Sequence, residues 1–447
     1  MLIQGCQRFL GFDHAELEER GESGEREQEV GLHGRVAVGG DPAVRDRLAD
    51  EALDRGPAVA QPDACLLAQR RVVQRLEDVG SARAARRGAR SAPRRVAWRR
   101  RASPSGTRNS AAPARGRRRP PGRPPAWSPA GLVAALLTMR SARGLFRRAI
   151  AHSVPGSHLT PALAEQVAAA LARRIGAPPT AAALADVDPW RLAAELTAFN
   201  ADLAGDTARW GRLAQFGVAV CPVVDGDVLP ETPWSALTGG RASGIELLAG
   251  RTRDEFRLFL VMAGLAGRVT DDQARTALDL LAPGPHGAHA YRTAFPGATA
   301  DELLATVGSD ALFRMPSLHL AQANTAAGGA SHLFELGLAS TAFDGALGAC
   351  HSLDVPLAFG TLDSPTAKSA FGDAPPPAAL RVARELGAAW TRFAATGDPG
   401  WPRYRPDQRL TRVLDTESAT VRYPEETSRR IWRGRTPEPF DVVGRPG

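Results

Sequence analysis

The chain has 447 residues, is 43% hydrophobic and 23% charged, and carries a formal charge of +8. This composition supplies enough apolar material for a packed core and a length of about two or three domains, which excludes a wholly disordered chain. The basic residues are unevenly placed, because residues 81–123 hold 15 arginines and no acidic residue, whereas residues 124–447 hold 31 basic and 32 acidic residues. The excess charge therefore belongs to one segment of the protein.

Composition divides the chain into three zones. Residues 1–80 are polar, with an acidic cluster between positions 16 and 29 and no clear apolar stripe. Residues 81–125 consist mainly of arginine, proline, alanine, glycine and serine, and such a segment of like charges and prolines is predicted to be disordered. Residues 126–447 show the hydrophobic periodicity of a folded domain.

In this third zone, helical and strand patterns alternate. An apolar run at 131–139 is followed by apolar residues with helix-like spacing at 145–150. Thr160 and Pro161 are typical of the start of a helix that runs through Ile175 and ends at Gly176. Further helices are predicted over 189–203, 271–281 and 379–396, and strands over 245–248 and 332–338. This alternation predicts an α/β domain with a mainly parallel sheet.

The sequence shows no pattern that predicts insertion into or transport across a membrane. No apolar run approaches the 18 to 20 residues of a membrane span, and the first ten residues lack the parts of a signal peptide, so we expect a cytoplasmic protein. Cys6, Cys65, Cys221 and Cys350 are too scattered for a CxxC metal site and too few for a disulfide scaffold, and we expect them to be unpaired.

Two positions suit acid–base chemistry. Asp254 and Glu255 follow the apolar residues 245–249, so their carboxylates lie where a strand ends, the usual place of catalytic groups on an open parallel sheet. His351 lies later, in a loop at 348–360 bounded by glycine and proline. An acid followed by a histidine is the order that an α/β hydrolase requires after its nucleophile.

Five segments of this region occur in a characteristic order: SARGLFRRAIAHS at 141–153, CPVVDGDVLP at 221–230, LAGRTRDE at 248–255, CHSLDVP at 350–356, and WTRFAATGDP with WPRY at 390–404. They resemble the corresponding segments of the type-B carboxylesterases, a family that includes para-nitrobenzyl esterases and cholinesterases. The resemblance covers residues from about 126 to 447 and none of residues 1–125.

The resemblance implies an α/β-hydrolase fold and a serine hydrolase that acts on small-molecule carboxylic esters without a metal or cofactor. It implies a Ser-Glu-His triad in which Glu255 matches the acid and His351 the general base. Asp354 matches an acidic position after the family's histidine and is interpreted as a loop-fixing residue. Cys350, beside His351, is interpreted as a small packed residue. Acyl and alcohol specificity and oligomeric state stay open.

The nucleophile position departs from the family pattern. Its counterpart is PAWSPAGLV at 125–133, where an ungapped count places the serine position on Trp127 and one missing residue places it on Ser128. Ser128 is therefore the candidate nucleophile, but it lacks both glycines of the G-x-S-x-G motif. The strained turn that carries the nucleophile requires those glycines because it leaves no room for side chains. Residues 111–125 hold five prolines and five arginines and cannot form the preceding central strand.

The N-terminal part of the expected sheet is missing or replaced. No strand followed by a His-Gly-Gly motif occurs in residues 1–125, and the partial matches at 21–24 and 32–35 are interpreted as coincidences. Since one oxyanion donor alone contributes about 10²- to 10³-fold to kcat, losing the oxyanion hole and the elbow would leave little activity. A break inside a motif is typical of a shifted reading frame or a misplaced start.

An alternative hypothesis is a catalytically dead esterase-like domain whose arginine-rich arm binds nucleic acid or an anionic surface. Fifteen arginines could neutralise phosphates. Nucleic acid is nevertheless disfavoured as a partner, because the segment lacks the interleaved aromatic residues of a base-stacking surface.

Overall fold

The computed structural model describes residues 129–240 and 244–444. The predictions for residues 1–80 and 81–125, and the candidate nucleophile Ser128, lie outside the described residues. All of the described residues belong to the zone predicted as a folded domain, residues 126–447.

A five-stranded sheet forms the centre of the described residues. Its strands, in spatial and chain order, are β1 (Arg148–His152), β2 (Glu246–Thr252), β3 (Ala330–Leu336), β4 (Leu410–Leu414) and β5 (Ala419–Arg422). The pairs from β1 to β4 are parallel and β5 is antiparallel to β4. The α/β prediction with a mostly parallel sheet is confirmed, and the carboxyl ends of β1, β2 and β3 share one edge of the sheet.

The helix-like interpretation of residues 145–150 is wrong, because β1 occupies Arg148–His152. Its burial alternates with a period of two: Ala149 and Ala151 are buried, whereas Arg148 and His152 are partly exposed. The strands predicted at 245–248 and 332–338 are confirmed as β2 and β3 with shifted ends. Strands β4 and β5 were not predicted.

Helices cover both faces of the sheet. Their bounds are α1 (Pro129–Thr138), α2 (Pro161–Ile175), α3 (Ala181–Ala185), α4 (Pro189–Leu203), α5 (Thr207–Trp210), α6 (Arg212–Phe216), α7 (Pro233–Thr238), α8 (Arg257–Met262), α9 (Asp271–Leu281), α10 (Gly287–Ala294), α11 (Ala300–Ser309), α12 (Met315–Ala326), α13 (Asp354–Phe359), α14 (Pro365–Phe371), α15 (Pro377–Thr396) and α16 (Glu426–Ile431). Short 3₁₀ turns lie at Arg140–Ala142 and Phe343–Gly345. The helices predicted at 189–203, 271–281 and 379–396 are confirmed.

The predicted start and end of α2 are confirmed in detail. The hydroxyl of Thr160 accepts a hydrogen bond from the backbone N–H of Leu163, Pro161 is the first helical residue, and Gly176 ends the helix with a left-handed φ of 72°. These features satisfy backbone groups that a helix end otherwise leaves unpaired.

A π-helical turn joins α11 to α12. It spans Asp310–Arg314, and its side chains are buried. Arg314 pairs with Asp310 at 3.2 Å, and the hydroxyl of Tyr291 donates to the other oxygen of Asp310 at 2.8 Å. The wider turn is therefore held by a buried ion pair, and it projects Phe313 toward the carboxyl edge of the sheet.

Successive residues of the central strands point to opposite faces of the sheet and belong to two hydrophobic cores. Leu247, Ala249 and Leu333 belong to the core on one face of the sheet. Leu248, Phe334 and Leu336 belong to the core on the other face, beneath α13 to α15. Gly250 lies on β2 where the ring of Phe334 crosses, and a Cβ there would lie 2.1 Å from that ring. The missing side chain of Gly250 thus makes room for Phe334.

Candidate active site

The candidate site lies where β1 and β2 end and where the turn after β3 returns to them. His152 and Gly250 are paired in register, and the N–H of Ser153 donates to the carbonyl of Gly250 at 2.7 Å. The N–H of Arg253 donates to the carbonyl of Leu336 at 2.9 Å. These bonds extend the parallel pairing beyond the strands and bring three carboxyl-terminal segments together.

Glu255 is fully buried and accepts hydrogen bonds on both carboxylate oxygens. Its Oε1 accepts from the hydroxyl of Ser153 at 2.5 Å and from the backbone N–H of Thr252 at 2.9 Å. Its Oε2 lies 2.5 Å from Nδ1 of His351. A buried carboxylate needs such donors, and here they fix both the position and the direction of the carboxylate.

His351 is oriented by Glu255 through both side chain and backbone. Because a carboxylate only accepts hydrogen bonds, Nδ1 of His351 carries the proton and Nε2 holds the lone pair of the neutral ring. The backbone N–H of His351 also donates to the carbonyl of Glu255 at 3.3 Å. Burial lowers the pKa of His351, but the charge and hydrogen bond of Glu255 and the charge of Asp354 raise it to a net value above its ordinary 6.5.

Asp254 holds the turn that carries His351. Its Oδ2 accepts from the backbone N–H of Ala349 at 2.9 Å, and its own N–H donates to the carbonyl of Ala349 at 2.8 Å. Gly348 has a φ of 56°, and a Cβ there would lie 2.4 Å from the carboxylate of Asp254. Asp254 thus fixes the loop that carries His351, whereas Glu255 fixes the imidazole itself.

Comparison with known proteins shows the family of this chain. The family model described as "Carboxylesterase family" matches residues 128–432, more than half of the chain. The chain belongs to the carboxylesterase family. Sequence relatives include a phenmedipham hydrolase of Pseudarthrobacter oxydans, 30% identical over 298 residues (65% of this chain, 58% of the relative), and a para-nitrobenzyl esterase of Bacillus subtilis, 29% identical over 310 residues (67% and 59%).

Solved structures of carboxylesterases share the fold. A PNB esterase has a TM-score of 0.56 at 26% identity, with 68% of this chain and 60% of that chain covered. A carboxylesterase of Geobacillus stearothermophilus has a TM-score of 0.55 at 27% identity, with 68% and 62% covered. The α/β-hydrolase fold is therefore shown, and the chain spans about three fifths of the length of these relatives.

In this member of the carboxylesterase family, the structure brings together two of the three residues predicted for the triad. Glu255 and His351 are hydrogen-bonded partners. Ser128 lies outside the described residues, and so do residues 1–125, where no oxyanion motif was found. The role of Ser128 as nucleophile and the loss of the oxyanion motif therefore stay predictions.

Ser153 and His152 are site residues that the sequence analysis missed. Ser153, with a φ of 51°, donates to Glu255, whereas His152 contacts Asp354 on the other side of the β1 end, with Nδ1 2.6 Å from Oδ2. A signal was present, because a His-Ser pair at the end of the apolar residues 149–151 occupies the same kind of position as Asp254 and Glu255.

Aromatic rings enclose His351. The ring of Phe313, in the π turn, lies 4.5 Å from the imidazole centroid, and the ring of Phe259, on α8, lies 5.6 Å away. The rings of Phe259 and Phe313 are themselves stacked at 6.1 Å. The two rings form an apolar wall beside the imidazole.

Cys350 is buried beside His351, and burial raises the pKa of its thiol to about 12. A thiol with such a pKa is a poor nucleophile at neutral pH, which supports its interpretation as a packed residue. Cys221 and Cys350 are both free, as predicted, while Cys6 and Cys65 lie outside the described residues. Among residues 129–240 and 244–444, no cluster of three or more His, Cys, Asp or Glu residues suits a metal ion.

No helix within the described ranges is both long enough and apolar enough to cross a bilayer.

Proposed function

We propose that this chain is a carboxylic ester hydrolase that works through a Ser-Glu-His triad, with Ser128 as nucleophile, Glu255 as the acid and His351 as the general base. The observation that carries the proposal is the bond between the buried Glu255 carboxylate and Nδ1 of His351, in a chain of the carboxylesterase family. That bond leaves Nε2 as the proton acceptor.

Each step of the proposed reaction uses one of these groups. Nε2 of His351 takes the hydroxyl proton of Ser128 while the oxygen attacks the ester carbonyl, and Glu255 stabilises the imidazolium that forms. The imidazolium then gives its proton to the leaving alcohol as the carbon–oxygen bond breaks, which yields an acyl-enzyme. A water molecule, deprotonated by His351, attacks the acyl group, and the proton returns to Ser128 as the acid leaves.

The substrates are proposed to be small uncharged esters with an apolar group beside the imidazole. The stacked rings of Phe259 and Phe313 support this proposal, because they present apolar surface next to His351. The relative named para-nitrobenzyl esterase agrees with this proposal, because a benzyl group is apolar.

A fluorophosphonate probe tests the nucleophile, and para-nitrophenyl acetate tests turnover. We expect mass spectrometry to find the probe on Ser128, and we expect Ser128→Ala and His351→Gln to abolish both labelling and hydrolysis. His289→Gln, on the exposed face of α10, is the matched control and should retain both. No labelling and no turnover by the intact chain would overturn the proposal, and labelling at a different serine would overturn the role of Ser128.

The same experiment separates the alternative function. A chain that neither labels nor turns over, yet binds DNA with an affinity that falls steeply between about 50 and 200 mM salt, would be a dead domain with a nucleic-acid-binding arm. An affinity that does not change with salt would exclude phosphate contacts by the arginines of residues 81–123.

A further inference from the structure

A second imidazole–carboxylate pair lies next to the first. His152 ends β1, Asp354 begins α13, and Trp390 lies on α15. Nδ1 of His152 lies 2.6 Å from Oδ2 of Asp354, and the indole N–H of Trp390 donates to Nε2 of His152 at 2.7 Å. The rings of Phe334 and Trp390 pack edge-on against the imidazole, at 5.0 and 5.1 Å.

These contacts determine which nitrogen of His152 carries the proton. An indole N–H can only donate, so Nε2 of His152 must accept and cannot carry a proton while that bond is made. The proton therefore lies on Nδ1 and is donated to Asp354. His152 is thus held as a neutral ring, and Asp354 keeps its full negative charge.

Asp354 lies close to His351 in the chain. The two residues are three positions apart, joined by a tight turn in which Ser352 has a φ of 66°. Asp354 is only 1% exposed. Burial opposes ionisation of Asp354, but the contact with His152, which includes the hydrogen bond, and the nearby His351 outweigh it and lower the pKa of Asp354. In turn, the charge of Asp354 raises the pKa of His351.

We propose that His152 is a positioning residue for the base: through its Nδ1–H it holds the ionised Asp354 beside the His351 turn, so that a second carboxylate, besides Glu255, stabilises the His351 imidazolium. The inference rests on the proposed function in one respect, namely that His351 is the residue that transfers the proton. Neither His152 nor Asp354 would touch the substrate, since each acts through His351.

Among the described residues, the titratable groups packed around the His351 turn lie after β2, at the start of α13 and at the end of β1. Glu255 and Asp254 follow β2, Asp354 begins α13, and His152 ends β1. Cys350 precedes His351 in the chain. Glu255 alone contacts Nδ1 of His351, so removal of the Asp354 charge leaves that bond in place and changes only the field around the ring.

The test measures the tautomer and the titration of each imidazole by NMR, in protein labelled with ¹⁵N-histidine. We expect the wild type to show His152 as the Nδ1–H tautomer. In Asp354→Asn, we expect His351 to titrate at lower pH than in the wild type, because a nearby negative charge is lost. Asp363→Asn, at an exposed position of the loop before α14, is the matched control and should leave the His351 titration unchanged.

A pair of variants at His152 tests its positioning role. The amide of Gln has both a donor and an acceptor, so His152→Gln can still bond Asp354 and Trp390, whereas His152→Leu can bond neither. We expect His152→Gln to keep kcat within about threefold of wild type and His152→Leu to lower kcat about tenfold, a fraction of what general base catalysis contributes. The acid limb of the pH profile should move to lower pH in His152→Leu only.

The outcomes distinguish failure of this inference from failure of the proposed function. An unchanged His351 titration in Asp354→Asn, or an Nε2–H tautomer of His152, would overturn the inference whether or not the chain hydrolyses esters. If His152→Leu does not fold, a loss of kcat of about tenfold or more in His152→Gln would overturn it too. Absence of turnover with the expected titrations would overturn only the proposed function.

Discussion

Two histidine–carboxylate pairs lie side by side at the carboxyl edge of the sheet, and they differ in what surrounds Nε2 of the histidine. Glu255–His351 and Asp354–His152 both join Nδ1 to a buried carboxylate, at 2.5 and 2.6 Å. Nε2 of His152 is occupied by the Trp390 N–H, whereas Nε2 of His351 lies in a ring-lined space. A carboxylate on Nδ1 therefore orients a histidine, but the surroundings of Nε2 decide whether it can move a proton.

The two carboxylates also differ in how they are held. Glu255 has three donors, from Ser153, Thr252 and His351, and all three lie at strand ends or in a fixed turn. Asp354 begins a helix and bonds His152. The end of β1 connects the pairs, since His152 serves one carboxylate and Ser153 serves the other.

The largest expected effect comes from Glu255→Gln. An amide at this position cannot stabilise the His351 imidazolium and favours the wrong tautomer, so kcat should fall about 10⁴-fold. Hydrolysis of para-nitrophenyl acetate measures this loss, with the exposed Glu417→Gln as the control that should behave as wild type. If Glu255→Gln loses no more than Asp354→Asn, the two pairs do not differ in the way described.

A smaller effect is expected from Ser153→Ala, which removes one of the three donors to Glu255. A hydrogen bond to a charged group contributes about 1.5–3 kcal/mol, so kcat/KM should fall about 10- to 100-fold, with a comparable loss in the free energy of unfolding. Ser317→Ala is the matched control, because the buried Ser317 hydroxyl accepts from the N–H of Val154 nearby and does not contact Glu255. Denaturant unfolding should show a loss in both variants, and kcat/KM a loss only in Ser153→Ala.

The smallest effect concerns the stability of the Glu255–His351 pair as pH changes. The pKa of His351 is raised in the folded chain, so the pair contributes most below the unfolded value of about 6.5, and the contribution is lost as pH rises through the folded pKa. Each pKa unit between folded and unfolded chains corresponds to about 1.4 kcal/mol.

Comparison of wild type with His351→Gln measures that contribution. The difference in unfolding free energy between the two should shrink from pH 6 to pH 9. The same comparison with the exposed His289→Gln should show little pH dependence. A difference that instead grows with pH would contradict the sign of the raised pKa of His351.

Much of this fold follows from local sequence signals. Interactions between residues close in the chain determine helix ends and amphipathic helix faces. The sequence therefore predicted the cap at Thr160, the helix end at Gly176, and helices α4, α9 and α15. Strand β1 was not predicted, because Arg148–His152 has only five residues and two of them are alanine, which has weak strand propensity. Its conformation comes from pairing with β2, about 100 residues away.

The site was predictable where it follows strand ends and family motifs. Glu255 and His351 were placed together, and Asp354 was interpreted as fixing the loop, which its bond to His152 agrees with. The identity of that partner was not predictable, because His152 and Asp354 are 202 positions apart and meet only after three parallel strands align. Trp390 was likewise predicted only as a residue of the helix over 379–396.

The π turn at Asp310–Arg314 makes the site sensitive to chain length as well as to residue identity. A π turn accommodates one residue more than a regular turn, so deletion of a single residue there would let α11 and α12 join as an ordinary helix. Each residue of an α-helix turns by about 100°, and Phe313 would rotate away from His351 by about that angle. In homologous chains, a one-residue gap at this position would therefore mark a binding pocket with a different wall.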